Sequence, residues 1–297
     1  MSAPADAPTF DLQSHSTHSD GALPPADVVA GAAAAGVQLL ALTDHDTVGG
    51  VDEALAAARE HGIGLVPAVE LSTVDVLGED FHVLGYCIDH TDALLAERLE
   101  RWRADRALRI ERMAERLCDA GLAPDRSELD ARLADGRPLG RPHLAAAAVR
   151  ANRERLPAGL DEPSSFLEAY LVPGCPAYCR RETPTVAEAV AAIHDAGGVA
   201  VWAHPFWDLW QPSEVCDALA RFKDCGIDGV EAFYATHDRE QTLLLVREAA
   251  ELGLLTTGSA DFHGPQHRHF SRFRAFDLYG CEPRLGPVAS AAPPAMG

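Results

Sequence analysis

The sequence predicts an α/β fold, a largely parallel sheet or barrel interrupted by an all-helical insertion. Three observations carry that expectation. Strand-like apolar runs alternate with helical patterns over residues 9–91, the alternation stops over 92–183, and it resumes over 184–286. Hydrophobic residues make up 47% of the 297-residue chain, which excludes intrinsic disorder and supplies a sizeable core.

Taken in order, the first eight residues are rich in Pro and Ala and are expected to fray. Phe10–Gln13 reads as a short strand running into a polar loop. Ala26–Ala35 is Ala-rich and helical, closed by Gly36, and Val37–Leu42 is an apolar strand. Gly50–His61 is helical, Gly62 stops it, Gly64–Val69 is the third strand and Asp80–Cys87 the fourth. From Asp92 to about Leu122 apolar residues recur at helical spacing among charges, and further helical pieces follow to Tyr170 with no strand between. This insertion of about 90 residues is long enough for a core of its own. Thr185–Ala196 is helical and stopped by Gly197-Gly198, and Val199–Ala203 is the next strand. Cys216–Cys225 and Glu240–Leu252 are helical, while Gly229–Phe233 and Leu254–Ser259 are strands. The segment 287–297 (PVASAAPPAMG) is of low complexity and is expected to be disordered.

Composition narrows the function. With 45 Asp+Glu against 25 Lys+Arg, the net charge of −20 argues against a partner that is long nucleic acid. No run approaches the roughly 18 apolar residues of a membrane span and no basic leader precedes an apolar stretch, so a cytoplasmic protein with no membrane partner is expected. Seven Cys at irregular spacing suggest reduced thiols; Cys175 and Cys179 are close, but no second Cys/His pair completes a zinc knuckle. The dominance of Arg over Lys, with Lys223 the single lysine, reads as codon usage. Thirteen His is about twice ordinary usage for this length.

Those imidazoles, with carboxylates, fall where strands end. After the first strand stand Gln13, His15, His18 and Asp20; after the second, Asp44, His45 and Asp46; after the third, Glu70. His82 lies after or within the fourth, His204 after the fifth, and Asp261 and His263 follow the last. Singly each has an ordinary explanation: Asp20 suits a turn before Gly21, and Asp44 an Asx-turn. Their recurrence at strand end after strand end points to one cleft, and imidazole with carboxylate is the donor set of Zn, Mn or Fe.

The ordered motifs Gln13-Ser-His15 with Ser19-Asp20-Gly21, Thr43-Asp44-His45-Asp46, Glu70-Leu71-Ser72, His82-Val-Leu-Gly, Ala203-His204-Pro205 and Ser259-Ala-Asp261-Phe-His263-Gly264 resemble those of the PHP (polymerase and histidinol phosphatase) metallophosphoesterases, across residues 9–280. Gly140-Arg141-Pro142-His143 and Glu231-Ala-Phe-Tyr234-Ala-Thr-His237 are similar to elements of the branch acting on nucleoside 3′,5′-bisphosphates or monophosphates, some of whose members trim short RNA from the 5′ end. The resemblance implies a distorted seven-stranded β/α barrel, its parts at 9–91 and 184–286, with the helical insertion at 92–183 as a cap. It implies two or three divalent ions (Mn, Zn or Fe): a first held by His15, Glu70, Asp261 and residue 13, a second by Glu70, His82 and His204, a third by Asp20, His45 and His263. The family has His where this chain has Gln13, whose amide oxygen is a weaker, harder ligand for such ions. His18 is either a substitute ligand or a solvated loop residue.

The implied chemistry is hydrolysis of a terminal phosphomonoester of a small nucleotide by attack of a metal-bound hydroxide. Arg141 suits bidentate phosphate binding, and His143 and His237 are candidate phosphate donors or acids for the leaving alkoxide. The competing expectations are a phosphatase of a non-nucleotide metabolite, a 5′-to-3′ exoribonuclease on short RNA, and a non-catalytic metal-binding domain with a decayed site. Trp202, Trp207 and Trp210 flank His204 and suit either a base-stacking wall or the core. The Arg-rich segment 98–116 interleaves acids at helical spacing and reads as a solvated, salt-bridged face.

Overall fold

Parallel strands buried on both faces have no polar alternation to display, and the strands here are apolar runs of that kind. The computed structural model describes residues 8–75, 80–134, 139–172, 174–179 and 184–291, without the side chains of 105–107 and 291. These residues gather into two compact units: residues up to Arg98 together with those from Pro184 onward, and Leu99–Thr183.

The first unit carries seven strands: β1 (Phe10–Asp11), β2 (Leu39–Leu42), β3 (Gly64–Val74), β4 (Asp80–Tyr86), β5 (Val199–Trp202), β6 (Gly229–Tyr234) and β7 (Leu255–Ser259). They neighbour one another in chain order. All adjacent pairs are parallel except those of β4, which runs antiparallel to both β3 and β5. The sheet curls until its ends meet. Leu12 N–H donates to Gly258 O at 3.1 Å, His15 N–H to Phe262 O at 2.8 Å, and Ser14 bridges Phe262 in parallel. The result is a nearly closed seven-stranded α/β barrel.

Helices α1 (Pro25–Ala34) and α2 (Val51–His61) connect the first three strands. Val28, Val29, Ala54 and Ala58 press on Leu40, Leu42 and Leu65 of the sheet. Gly62 ends α2 at φ +68°, a left-handed position that glycine takes without steric cost. In the second half, α7 (Val186–Asp195) starts at a Thr185–Glu188 capping box and α10 (Arg239–Glu251) at an Asp238–Gln241 box. Between them lie α8 (Pro205–Asp208) and α9 (Pro212–Asp224).

The second unit is helical, with α4 (Arg126–Ala134), α5 (Arg141–Asn152), α6 (Pro163–Tyr170) and most of α3 (Ala93–Asp119); no strand occurs among its described residues. Its own core joins Ile110, Met113 and Leu117 to Leu144, Ala148 and Phe166. This unit spans Leu99–Thr183, and the first turns of α3 belong to the barrel unit, where Arg98 pairs with Asp195 at 2.8 Å.

Several sequence expectations are corrected. The 287–297 segment is not disordered throughout: Gly286–Ala291 forms a 3₁₀ helix whose Val288 is fully buried, the apolar anchor that low complexity concealed. Residues 292–297 lie outside the described residues. So do the first seven residues of the expected frayed start; Pro8 is held, its carbonyl accepting from Arg274 Nε at 2.5 Å. On α3 the pair Arg103–Glu100 fits a solvated face, but Arg109 is buried, donates to Cys179 O at 2.7 Å and lies over the Tyr178 ring. Trp202 belongs to the core, edge-on to Phe81 and Phe222. Among the described residues no helix is long and apolar enough to cross a membrane, and the seven cysteines form no disulfide.

The strand register shifts between Glu231 and Phe233 against β7, and there Gly258 faces Phe233 so closely that an added Cβ would lie 2.6 Å from Phe233 Cβ and O. Gly258→Ala should therefore lower stability by about 1–3 kcal/mol, read from urea denaturation; an unchanged midpoint would contradict this packing.

Candidate metal centre

The C-terminal ends of the parallel strands converge on Glu70. Its side chain is 1% exposed, and a carboxylate in that position needs partners for both oxygens. Oε2 lies 2.9 Å from Gln13 Nε2, 3.1 Å from His15 Nε2 and 3.5 Å from His45 Nδ1. Oε1 lies 2.8 Å from His82 Nδ1 and 3.1 Å from His204 Nε2. Asp261 Oδ1 reaches His15 Nε2 at 3.1 Å, while Asp20 stands 3.5–3.7 Å from His15, His45 and His263.

Local backbone aims these groups. Strands β2 and β3 are prolonged by a parallel bridge between His45 and Glu70, and Asp46 N–H donates to Glu70 O. His204 and Asp261 hold positive φ, +32° and +53°, where a non-glycine backbone is strained; both follow a strand directly. Glu231 Oε2 accepts the His204 N–H at 2.9 Å, and Tyr234 OH donates to Asp261 Oδ2 at 2.7 Å. Asp44 accepts from Ser16 N–H, Ser16 Oγ and Ser19 Oγ, folding the turn that presents Asp20. Asp46, at φ +54°, accepts from Ser72 N–H. Sequence reasoning passed over Glu231 and Tyr234 as supports. The available signal was a lone carboxylate within the apolar run of β6; the register shift between Glu231 and Phe233 breaks the period of two between it and Tyr234, so alternation alone does not place both.

Charge is divided unevenly. Burial opposes the ionisation of Glu70, but His45 and His82 and the close approach of His15 and His204 outweigh it and hold the acid well below the usual range. Asp261 is likewise buried, yet His263 and His15 bring it down to about 2. Burial disfavours a charged His15, but Asp261 and Glu70 raise it well above the usual imidazole range; Asp208 and Glu70 do the same for buried His204. Burial pushes His45 down to about 3.

The donor set fits divalent cations. His15, Asp20, His45 and His263 form one group with ligand atoms within 4.8 Å of one another; His45, Glu70 and His82 form a second, and His15, Glu70 and Asp261 a third. His15 Nε2, His45 Nδ1, His204 Nδ1 and Asp261 Oδ1 are buried without a hydrogen bond, a cost that a cation bound to the first, second and last of these would remove. His18 joins none of these groups.

Gln13 differs from the expectation of an amide oxygen facing a cation: its Oε1 accepts from Ser259 Oγ at 3.3 Å and its Nε2 donates to Glu70. An amide N–H beside a buried carboxylate satisfies it, whereas the amide oxygen there would repel it. His237 is buried; its Nδ1 donates to Ala232 O at 3.2 Å, so in the neutral ring Nε2 is the acceptor, and burial pushes its pKa down to about 4. Arg141 and His143 open α5 in the helical unit, where Gly140 N–H donates to His143 Nδ1 and so leaves Nε2 as the ring's N–H.

Because cations bind neutral imidazole, loading the centre should expel protons from His15 and His204. Affinity should fall as pH is lowered, the protonated forms of both raised groups competing with the metal. Calorimetry at pH 7 in buffers of differing ionisation enthalpy should register release of about one proton or more per chain; no release would contradict the charges described. Gln13→Ala should cost roughly 1–3 kcal/mol in thermal stability, since it leaves Glu70 and Ser259 short of a buried partner.

The chain matches the PHP domain family model over residues 11–114. It is 35% identical over 256 residues to a 5′-3′ exoribonuclease of Haemophilus influenzae, covering 86% of this chain and 90% of the relative. It is 33% identical to a 3′,5′-nucleoside bisphosphate phosphatase of Chromobacterium violaceum, covering 86% and 87%. Among solved structures, one described as an amidohydrolase from Chromobacterium violaceum with bound sulfate and no metal superposes with a TM-score of 0.81 at 29% identity, covering 97% of this chain and 99% of the other. A Bifidobacterium adolescentis protein described as a metal-dependent phosphoesterase gives 0.74 at 30% identity, covering 90% and 91%. With a seven-stranded barrel, a buried glutamate ringed by imidazoles and relatives of this extent, the chain belongs to the PHP domain family.

Proposed function

We propose that this metal-dependent phosphoesterase removes a terminal phosphate from a small nucleotide, a nucleoside monophosphate or 3′,5′-bisphosphate. The observation carrying this is the convergence of His15, His82 and His204 on the two oxygens of Glu70, supported by the full-length relative named for that bisphosphate. His15, Glu70 and Asp261 would hold one divalent cation, Glu70, His82 and His204 a second, and Asp20, His45 and His263 a third. Such ions supply Lewis acidity toward phosphoryl oxygens and lower the pKa of water.

The remaining work belongs to the chain. Tyr234, its phenol pushed up by burial and by Asp261, stays a donor and fixes the Asp261 carboxylate. Glu231 fixes His204 through the backbone. Arg141 offers a planar fork to a phosphate group, and His143 Nε2–H a donor to a phosphoryl or leaving oxygen. The net charge of −20 disfavours long polyanions, so the substrate is small.

A second reading, release of 5′ nucleotides from short RNA, is favoured by the name of the Haemophilus influenzae relative. One assay separates the possibilities. Protein supplied with Mn, Zn or Fe should release phosphate from nucleoside mono- and bisphosphates, and a chelator should abolish the release. Asp261→Asn should lower kcat/KM by roughly 10²- to 10³-fold, several kcal/mol of lost charge stabilisation. Turnover of sugar phosphates alone would indicate a metabolite phosphatase, and mononucleotides freed from short RNA in preference would favour the exoribonuclease. No release from any phosphomonoester with metals bound would leave a non-catalytic domain.

A further inference from the structure

An aromatic strip leads outward from the metal centre. The His263 ring packs 4.2 Å from His15 and 5.6 Å from Phe270, and Phe270 lies 5.4 Å from Trp207, centroid to centroid. His267 stacks on His263 and on Phe270, each at 5.2 Å. Exposure rises along the way: His15 and Phe270 are buried, and Trp207 is 48% exposed. Both ends are tied to the centre by backbone bonds. Trp207 N–H donates to His204 O at 2.9 Å, and His263 N–H donates to Phe270 O at 3.0 Å. The distance between cluster and indole is therefore fixed by the same residues that form the cluster.

Packing does not account for this indole. Trp202, five residues earlier, is wholly buried, whereas Trp207 leaves much of its apolar surface in water and forgoes that stabilisation. The segment that carries Phe270 is also unlike the rest of the chain in charge. Residues 264–274 contain Arg268, Arg272, Arg274, His267 and His269 and no acid, in a protein of net charge −20. Arg274 is committed to the backbone carbonyls of Pro8 and Ala35, while Arg268 and Arg272 are exposed. An aromatic face backed by a segment rich in cationic side chains and leading to the candidate metal centre suits a ligand that is flat at one end and anionic at the other.

We propose that Trp207, backed by Phe270, is the platform on which the substrate's nucleobase stacks, and so selects nucleotides over phosphate esters that lack a base. The inference rests on the phosphatase reading and deepens it. Stacking on one ring face accepts any base, so the platform separates nucleotides from sugar phosphates without distinguishing bases.

The test uses the metal-loaded protein with adenosine 5′-monophosphate and ribose 5-phosphate. Trp207→Ala should lower the ratio of kcat/KM for the nucleotide over the sugar phosphate about 10-fold, mainly through KM, and Trp207→Phe should recover most of it. Adenosine 5′-monophosphate should quench tryptophan emission in the wild type and in Trp210→Phe, but not in Trp207→Phe. Trp210 is the control: it is 83% exposed and makes none of these ring contacts. An unchanged ratio in Trp207→Ala, or quenching that persists in Trp207→Phe, would overturn the platform while leaving the phosphatase reading intact. Quenching specific to Trp207 without hydrolysis of either ester would sustain the platform and overturn the phosphatase.

Discussion

The structure is organised around one electrostatic constraint, a carboxylate taken out of water. Glu70 is buried on β3, and isolated ionised carboxylates in that position are among the most costly groups a fold can hold. Five side chains answer it: Gln13 and His15 after β1, His45 after β2, His82 within β4 and His204 after β5. The barrel topology is the means of bringing them together, since parallel strands present their C-terminal ends to a common mouth. Divalent cations complete the compensation, which joins the stability of the centre to its chemistry.

Much of this was legible in the sequence because the period of strand and helix and the polar residues at strand ends are local signals. His204, Asp261 and His263 could be placed on the mouth from position alone, and so could Glu70, although β3 runs on past it to Val74. His82 could not be, since it lies inside β4 and not at its end. The reason is the antiparallel direction of β4: its first residues, not its last, stand at the mouth, with His82 opposite Ser72 of β3 and its carbonyl accepting from Ala203 N–H. Strand direction is a property of the hairpin and the sheet, and apolar periodicity carries no information on it. The tail failed for a similar reason, as one buried valine outweighs a run of Ala and Pro.

Gln13 shows what a single departure from the family pattern does to the centre. A histidine can serve either a cation or a carboxylate, whereas an amide offers one atom of each polarity. Here the nitrogen faces Glu70 and the oxygen faces Ser259, whose Oγ also lies 2.6 Å from Glu231 Oε1. The residue thereby links the bridging acid to the buried layer beneath His204. Burial raises Glu231 to about 8 and so keeps that layer close to neutral, in contrast to the ionised acids above it. The centre is thus a shell of ligands over a floor of hydrogen-bonded groups that set their orientation, and such floors tune a site as strongly as many direct ligands do.

The central claim is that Glu70 assembles the cation cluster by serving more than one ion. Elemental analysis of purified protein, equilibrated with manganese and freed of excess, measures this without reference to turnover. The wild type should retain two or three ions per chain, and Glu70→Gln, folded as judged by circular dichroism, should lose about two of them together, because one carboxylate can clamp a pair of cations. A folded Glu70→Gln protein that keeps the full wild-type complement would contradict the account.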